Sequence, residues 1–225
     1  VPAAIAAPPD DTIVVGISAD ATTFDPANIS SRDNSNIAKH IFGTLYEISP
    51  DGEIVPDLAE SYTEAEDGKS YTYKLREGLV CEDGEALTAE DAAYSFNRAA
   101  DKANGFTGNT PGFVFSSIQF AGAEAVSDLE VKVNLGRKNP VSFGLIAEVF
   151  IHCKDSYEGL SLEQASQAPI GSGPYKLVTW DRGSQVTLTR VKEDEANFAN
   201  ITYRIIPEAS TRSAELIAGN VDIIT

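Results

Sequence analysis

Asp67-Gly68-Lys69-Ser70-Tyr71-Thr72-Tyr73-Lys74-Leu75-Arg76-Glu77-Gly78-Leu79 is the stretch on which the fold turns. Tyr71, Tyr73 and Leu75 alternate with Thr72, Lys74 and Arg76, the period of a strand with one apolar and one solvated face. Asp67-Gly68 ahead of it is a turn signal, so the segment reads as the second arm of a hairpin. A second turn follows at Asp83-Gly84. Thr88-Ala89-Glu90-Asp91 is then a capping box with Asp in place of Glu, and it opens a helix carrying Ala92, Ala93 and Phe96 inward.

Outward from there, strands and helices continue on both sides. Toward the C-terminus, a Gly/Asn/Thr loop at 105–112 precedes two strands, 118–121 and 129–135. The second alternates Leu129, Val131, Val133 and Leu135 against Glu130, Lys132 and Asn134. Asn139-Pro140 starts a short helix. Strands at 175–180 and 185–191 flank the turn Asp181-Arg182-Gly183, and a strand at 201–206 stops at Pro207. Ser210 or Thr211 caps a helix with Ala214, Leu216, Ile217 and Ala218. Val221-Asp222-Ile223-Ile224 begins a further strand where the sequence stops, which reads as the end of a fragment. Toward the N-terminus, 13–17 is a buried strand and 18–31 a polar loop. Ile37, Ile41 and Leu45, with Ala38 and Phe42 beside them, form one helix face capped by Asp33 or Ser35. Pro50-Asp51-Gly52 ends this unit. The strands alternate with helices without a regular βαβ period, which predicts an α/β fold on a mixed sheet.

Composition narrows the function. The net charge of −17 argues against nucleic acid, whose phosphates would be repelled. No apolar run reaches the roughly 20 residues of a membrane-spanning helix. The opening Val1-Pro2-Ala3-Ala4-Ile5-Ala6-Ala7-Pro8-Pro9 reads either as the tail of a secretory signal peptide or as a flexible mature N-terminus. Cys81 and Cys153 form no CxxC and sit in no metal spacing; they are either one disulfide or two buried thiols. His40 reads as a partly exposed surface residue, off the apolar helix line. His152 beside Cys153 is no metal pair, since neighbours on a strand point to opposite faces. Gly171-Ser172-Gly173 lacks the spacing of a nucleophile elbow, and no phosphate loop is present. Glu193-Asp194-Glu195 reads as a solvated loop. No cofactor is called for, and no residue is assigned a catalytic role.

Four stretches together resemble one family. They are Pro56-Asp57-Leu58-Ala59-Glu60-Ser61-Tyr62 with the hairpin arm quoted above, and Asp83-Gly84 with Leu87-Thr88-Ala89-Glu90-Asp91-Ala92 and Ser95-Phe96. The others are Pro169-Ile170-Gly171-Ser172-Gly173-Pro174-Tyr175-Lys176-Leu177, and Tyr203-Arg204-Ile205-Ile206-Pro207-Glu208-Ala209-Ser210-Thr211-Arg212 leading to Gly219-Asn220-Val221-Asp222-Ile223. In order and spacing the chain resembles the N-terminal part of ABC-transporter extracellular solute-binding proteins of the peptide/nickel/opine class, family 5. Two features depart from that family. Its members are considerably longer, and the segment 192–198 is shorter than their Asn-x-x-Tyr-Trp and Lys-Pro step.

The resemblance implies a periplasmic-binding-protein-like type II fold. Residues 1–46 and 168–225 would form a discontinuous first lobe, residues 47–167 an inserted smaller α/β subdomain, and the second lobe would follow 225. It implies a periplasmic, monomeric receptor that holds a small-molecule ligand in a cleft between two lobes. Such a receptor captures an oligopeptide, opine or related solute and delivers it to an inner-membrane ABC permease. On this reading the loop after the first strand, Ala21, Thr22, Thr23 and Phe24, faces the cleft. Phe106, Phe113 and Phe115, near the Gly-rich loop, either stack on the ligand or pack the subdomain core. Cys81 and Cys153 both lie in the inserted subdomain, and an oxidising periplasm then favours their disulfide. A sensor or chaperone-like binder shares all of these motifs. A hydrolase would need a converging carboxylate pair that the sequence does not point to.

Overall fold

The computed structural model describes residues 11–225; the opening stretch 1–9 lies outside them. β1 (Thr12–Ile17) is buried from Val14 onward, as a strand inside a sheet requires. After a polar loop come α1 (Arg32–Ile41) and a short hairpin, β2 (Tyr46–Ile48) and β3 (Ile54–Pro56). The next unit holds β4 (Ala59–Glu64), β5 (Ser70–Leu75), α2 (Ala89–Ala100), the single turn α3 (Phe115–Ile118), β6 (Phe120–Ser127) and β7 (Glu130–Leu135). Three short helices follow, α4 (Ser142–Ile146), α5 (Lys154–Tyr157) and α6 (Leu162–Gln167). The chain closes with β8 (Tyr175–Asp181), β9 (Gln185–Arg190), β10 (Asn200–Ile205), α7 (Ala209–Ile217) and β11 (Ile223–Ile224).

The large sheet has the order β11-β1-β10-β9-β8. β1 runs parallel to β10 and β11, while β9 is antiparallel to both β10 and β8, so the sheet is mixed. Parallel pairing needs a long crossover, and here everything between β1 and β10 supplies it. A second, antiparallel sheet has the order β4-β5-β7-β6. Tyr71, Tyr73 and Leu75 of β5 are buried, as are Val131, Val133 and Leu135 of β7, and α2 covers this sheet with Ala89, Ala92 and Phe96. The turn at Gly68 has φ of 66°, a conformation glycine adopts without strain.

Several local readings shift. The N-cap of α1 is Ser31, whose hydroxyl accepts from Asn34 N at 3.2 Å, rather than Asp33 or Ser35. Asp33 is engaged elsewhere: its Oδ2 accepts from Ser18 N, Ser18 Oγ and Ala19 N. α1 ends at Ile41, with Phe42 already extended, so Leu45 does not continue its face. The Thr88–Asp91 capping box forms as read. Ile118 belongs to α3 and not to a strand. Glu208 precedes α7 as its N-cap, without a side-chain bond, in place of Ser210 or Thr211, and no residue of α7 is buried. Pro50-Asp51-Gly52 closes the β2–β3 hairpin instead of ending a unit. Glu193–Glu195 forms one 3-10 turn between β9 and β10.

The two sheets are joined where the chain leaves the large sheet after α1 and returns before β8. Residues 149–153 lie between these crossings, with Phe150 bridging Thr44 and His152 bridging Gly171. Ile151 N donates to Gly43 O at 2.9 Å. Ser172 Oγ donates to Ile151 O at 2.9 Å and accepts from Gly43 N at 3.0 Å. A Cβ at Gly171 would fall on the Ile41 carbonyl oxygen, and one at Gly173 would stand 2.6 Å from His40 O. Gly171-Ser172-Gly173 is therefore a close approach of backbones, where the absent side chain matters more than φ. Cys81 and Cys153 are joined by a disulfide with Cα atoms 6.2 Å apart, across 72 residues.

Gly171→Ala sets a methyl group against backbone that has no rotamer to escape into. It should cost about 3 kcal/mol or more of stability, the upper range for overpacking, measured by urea unfolding. A loss under about 1 kcal/mol would show that the crossing can spread. Replacing both cysteines by serine should cost roughly 4 kcal/mol, the chain-entropy figure for a loop of this length. An unchanged unfolding midpoint would remove the disulfide from the stability of the fold.

Candidate functional site

The loop after β1 is tied down at both ends. Asp20 accepts from Trp180 Nε1 at 2.9 Å and from Gly183 N at 2.7 Å, which fixes it to the β8–β9 turn. Asn34 Nδ2 donates to Thr23 O at 2.8 Å, and Phe24 N donates to Ser166 O at 3.0 Å. The Phe24 ring stands edge-on to Trp180 at 4.7 Å and is fully buried. Ala21 and Thr23 are buried too; Thr22 alone of these four is exposed. Asp25 then caps the 3-10 turn Pro26–Asn28 and accepts both terminal nitrogens of Arg98, at 2.8 and 2.6 Å. This ion pair is nearly dry, with side-chain exposures of 8% and 2%. Arg98 also stacks over the rings of Phe106 and Tyr157.

The Gly-rich loop meets the first loop directly. Thr107 N donates to Asn28 Oδ1 at 2.9 Å, and Asn109 N to Ile29 O at 2.8 Å. A Cβ at Gly108 would lie 2.6 Å from the Asn28 backbone, so only glycine allows this approach. The two stretches singled out from the sequence therefore do come together, but through residues 28–29 and 107–109.

Beside this junction lies a cavity of about 650 Å³, open on one side. α1 presents Arg32, Ser35, Asn36 and Lys39 to it. These positions are i, i+3, i+4 and i+7, one face of a helix, opposite the Ile37, Ala38 and Ile41 face that packs into the core. The other wall includes Thr44, Glu47, Asp57, Asn109, Thr110 and Glu148, with Phe42 and Phe150 as an apolar floor. Asp57 accepts from Thr44 N at 2.7 Å and lies 3.6 Å from Arg76. Burial raises its carboxyl above the ordinary range, against the pull of the Thr44 amide. Asn109 Nδ2 donates to Glu148 Oε2 at 3.1 Å. None of Ala21, Thr22, Thr23, Phe24, Phe106 or Phe113 lines this cavity. Phe106 lines a smaller groove of about 400 Å³ with Phe115 and Phe120, and Phe113 projects into solvent. The signal that sequence reading passed over is the polar run Ser30-Ser31-Arg32, one turn beyond the loop chosen, followed by Ser35, Asn36 and Lys39 at helical spacing.

Neither histidine lines the cavity. His40 is half-buried against the rings of Tyr175 and Tyr203, and burial, then Lys39, lowers its pKa. His152 is fully buried between Tyr94 and Tyr157, with no well-formed hydrogen bond to either ring nitrogen. Its backbone N donates to Ser95 Oγ at 2.9 Å. Among the described residues no three His, Cys, Asp or Glu side chains converge as metal ligands.

Comparison with known proteins gives three findings. Residues 53–225 match the middle region of the bacterial extracellular solute-binding proteins, family 5. The chain is 29% identical over 219 residues to the glutathione-binding protein GsiB of Escherichia coli K12, covering 92% of this chain and 40% of that protein. Among solved structures it resembles the ABC transporter substrate-binding protein CtaP of Listeria monocytogenes, with TM-score 0.80, 29% identity, and coverage of 93% of this chain and 43% of that one. It also resembles NikZ of Campylobacter jejuni in complex with Ni(L-His), with TM-score 0.84, 25% identity, and coverage of 95% and 43%. The chain thus spans less than half the length of these relatives.

Burial, then the Arg98 guanidinium, holds the His152 imidazole well below its ordinary 6.5, while the Phe150 backbone opposes this. The folded state therefore binds fewer protons than the unfolded state once pH falls below 6.5. Stability is fully present above that value and declines below it, by at most about 1.4 kcal/mol per pH unit for this group. His40 adds a decline of the same sign. His152→Phe keeps the ring and removes the titration, so its unfolding free energy should fall less between pH 7 and pH 5 than that of the parent. Parallel pH curves for the two proteins would exclude His152 as the source.

Proposed function

Because the chain belongs to the bacterial extracellular solute-binding proteins of family 5, we propose that it forms the first-lobe part of a receptor that captures a small solute for an ABC importer. Residues 1–46 and 168–225 form that lobe in this reading, with residues 47–167 inserted as a smaller subdomain. The second lobe belongs to the length that the relatives have beyond this match. The observation that carries the proposal is the cavity beside α1. It is polar, it is open on one side, and its walls are held by the buried Asp25–Arg98 pair and the packed Gly108 approach. A rigid wall of this kind suits a site that closes against a facing lobe.

The ligand is a small solute of the kind the relatives bind, glutathione for GsiB and Ni(L-His) for NikZ. The exposed Thr22 and Phe113 remain available to it, whereas Ala21, Thr23 and Phe24 serve beneath as packing. The partner is an inner-membrane permease, and the compartment is the periplasm, reached by a secretory signal. Among the described residues no helix is long and apolar enough to cross a membrane. The named relatives are binding proteins, and we read this chain as non-catalytic.

Contacts from both walls exist together only in the closed state, so one lobe alone forfeits a large share of the binding free energy. Native mass spectrometry of the full-length receptor should show a copurified solute. Calorimetry should then find that the 225 residues alone bind that solute at least about a hundredfold more weakly, a loss of about 2.7 kcal/mol. Equal affinity would mean that one lobe holds the whole site.

A further inference from the structure

The charges around the cavity are segregated. Arg32 and Lys39 stand on one wall, and both are exposed. Among the described residues neither has an ion-pair or hydrogen-bond partner, in a chain that carries 34 acidic and 17 basic residues. Two such cations thus occur on one helix face. The carboxylates stand on the opposite wall. Asp57 is engaged by Thr44 and Arg76, Glu148 by Asn109, and Glu47 has no hydrogen bond or ion pair among the described residues.

The seven-residue separation of Arg32 and Lys39 sets them about 10 Å apart along the helix axis. An anionic group entering the cavity is attracted to α1 and repelled by the Glu47, Asp57 and Glu148 side, so its place is along the helix. We propose that the solute is a dicarboxylate compound whose two acidic groups lie roughly 10 Å apart, one held by Arg32 and the other by Lys39. This rests on the reading of the cavity as the ligand wall and narrows it to an acidic solute. Neutral sugars and purely cationic ligands leave both cations unanswered.

The test uses the full-length receptor and three probes. Glu-Ala-Ala, when extended, sets its side-chain and terminal carboxylates at roughly the required separation. Gln-Ala-Ala amide has the same shape without either carboxylate, and cellotriose is an uncharged solute of similar length. Calorimetry should give Glu-Ala-Ala at least a tenfold preference over Gln-Ala-Ala amide. Arg32→Gln with Lys39→Gln should abolish that preference while the melting temperature without ligand stays unchanged. Equal affinity for acid and amide overturns the proposal, as does a preference that survives in the double variant. A lowered melting temperature of the unliganded variant also overturns it, since the cations would then be partners of the facing lobe. Binding of cellotriose alone overturns the acidic solute and leaves the receptor reading standing. Binding of none of the three overturns the acidic solute, and the receptor reading then stands or falls on whether native mass spectrometry shows a copurified solute.

Discussion

Gly173 N donates to Ile41 O at 2.8 Å, and there is no room for a side chain at Gly171 or Gly173 against the end of α1. This one close approach holds the two crossings of the chain in contact. It helps stop α1 at Ile41: Phe42 N still bonds to Ala38 O, but the amide after it, Gly43 N, is taken by the Ser172 hydroxyl instead of continuing the helix. It also brings Phe42 and Phe150 to the floor of the cavity and Thr44 to its wall. The orientation of the polar face of α1 thus follows from a packing constraint at the helix's other end. A bulkier residue at either glycine would move α1 as a rigid rod, and its cavity face with it.

The Asp25–Arg98 pair does a different job. Taking both charges out of water is costly, and a bidentate geometry with ring stacking on Arg98 only offsets that cost. Its value is in position. It couples the loop after β1 to α2, so residues 26–31 are held against the inserted subdomain and not only against their own sheet. His152 extends this interior without adding a hydrogen bond from its ring. An imidazole left neutral among tyrosines and beside a guanidinium adds a fixed dependence on acidity to the same junction.

Much of the architecture was legible in the sequence because its signals are local. Period-two alternation at Tyr71–Leu75 and Val131–Leu135, Asp-Gly turns, and the Thr88–Asp91 cap need no distant partner to take effect. The mixed sheet followed from the same reading. What escaped was decided at long range. Asp33 resembles a cap but is drawn to Ser18 and Ala19, leaving Ser31 to cap α1. Leu45 kept the helical period, yet a tertiary contact had already ended the helix. α7 carries an apolar pattern with no buried residue, since periodicity says which face is apolar and not what covers it. The cavity was missed for a similar reason. A loop at the end of a strand is a reasonable place for a ligand, but hydrogen bonds to Thr23 and Phe24 turned that loop inward and left the following helix to form the wall.

Charge is where local and global readings of this protein part. The net −17 describes the surface as a whole and chooses no ligand. Within the cavity the balance differs, because helical spacing gathers Arg32 and Lys39 on one face while topology brings Glu47, Asp57 and Glu148 from separate segments to the other. At physiological salt the screening length is about 8 Å, so exposed acidic groups farther away than that contribute little inside the cavity. Excluding water from the cavity would strengthen each of these interactions further. A chain that is strongly acidic in bulk can therefore still present two free cations on one face of a cavity. The sequence places those cations in register; only the fold places carboxylates opposite them.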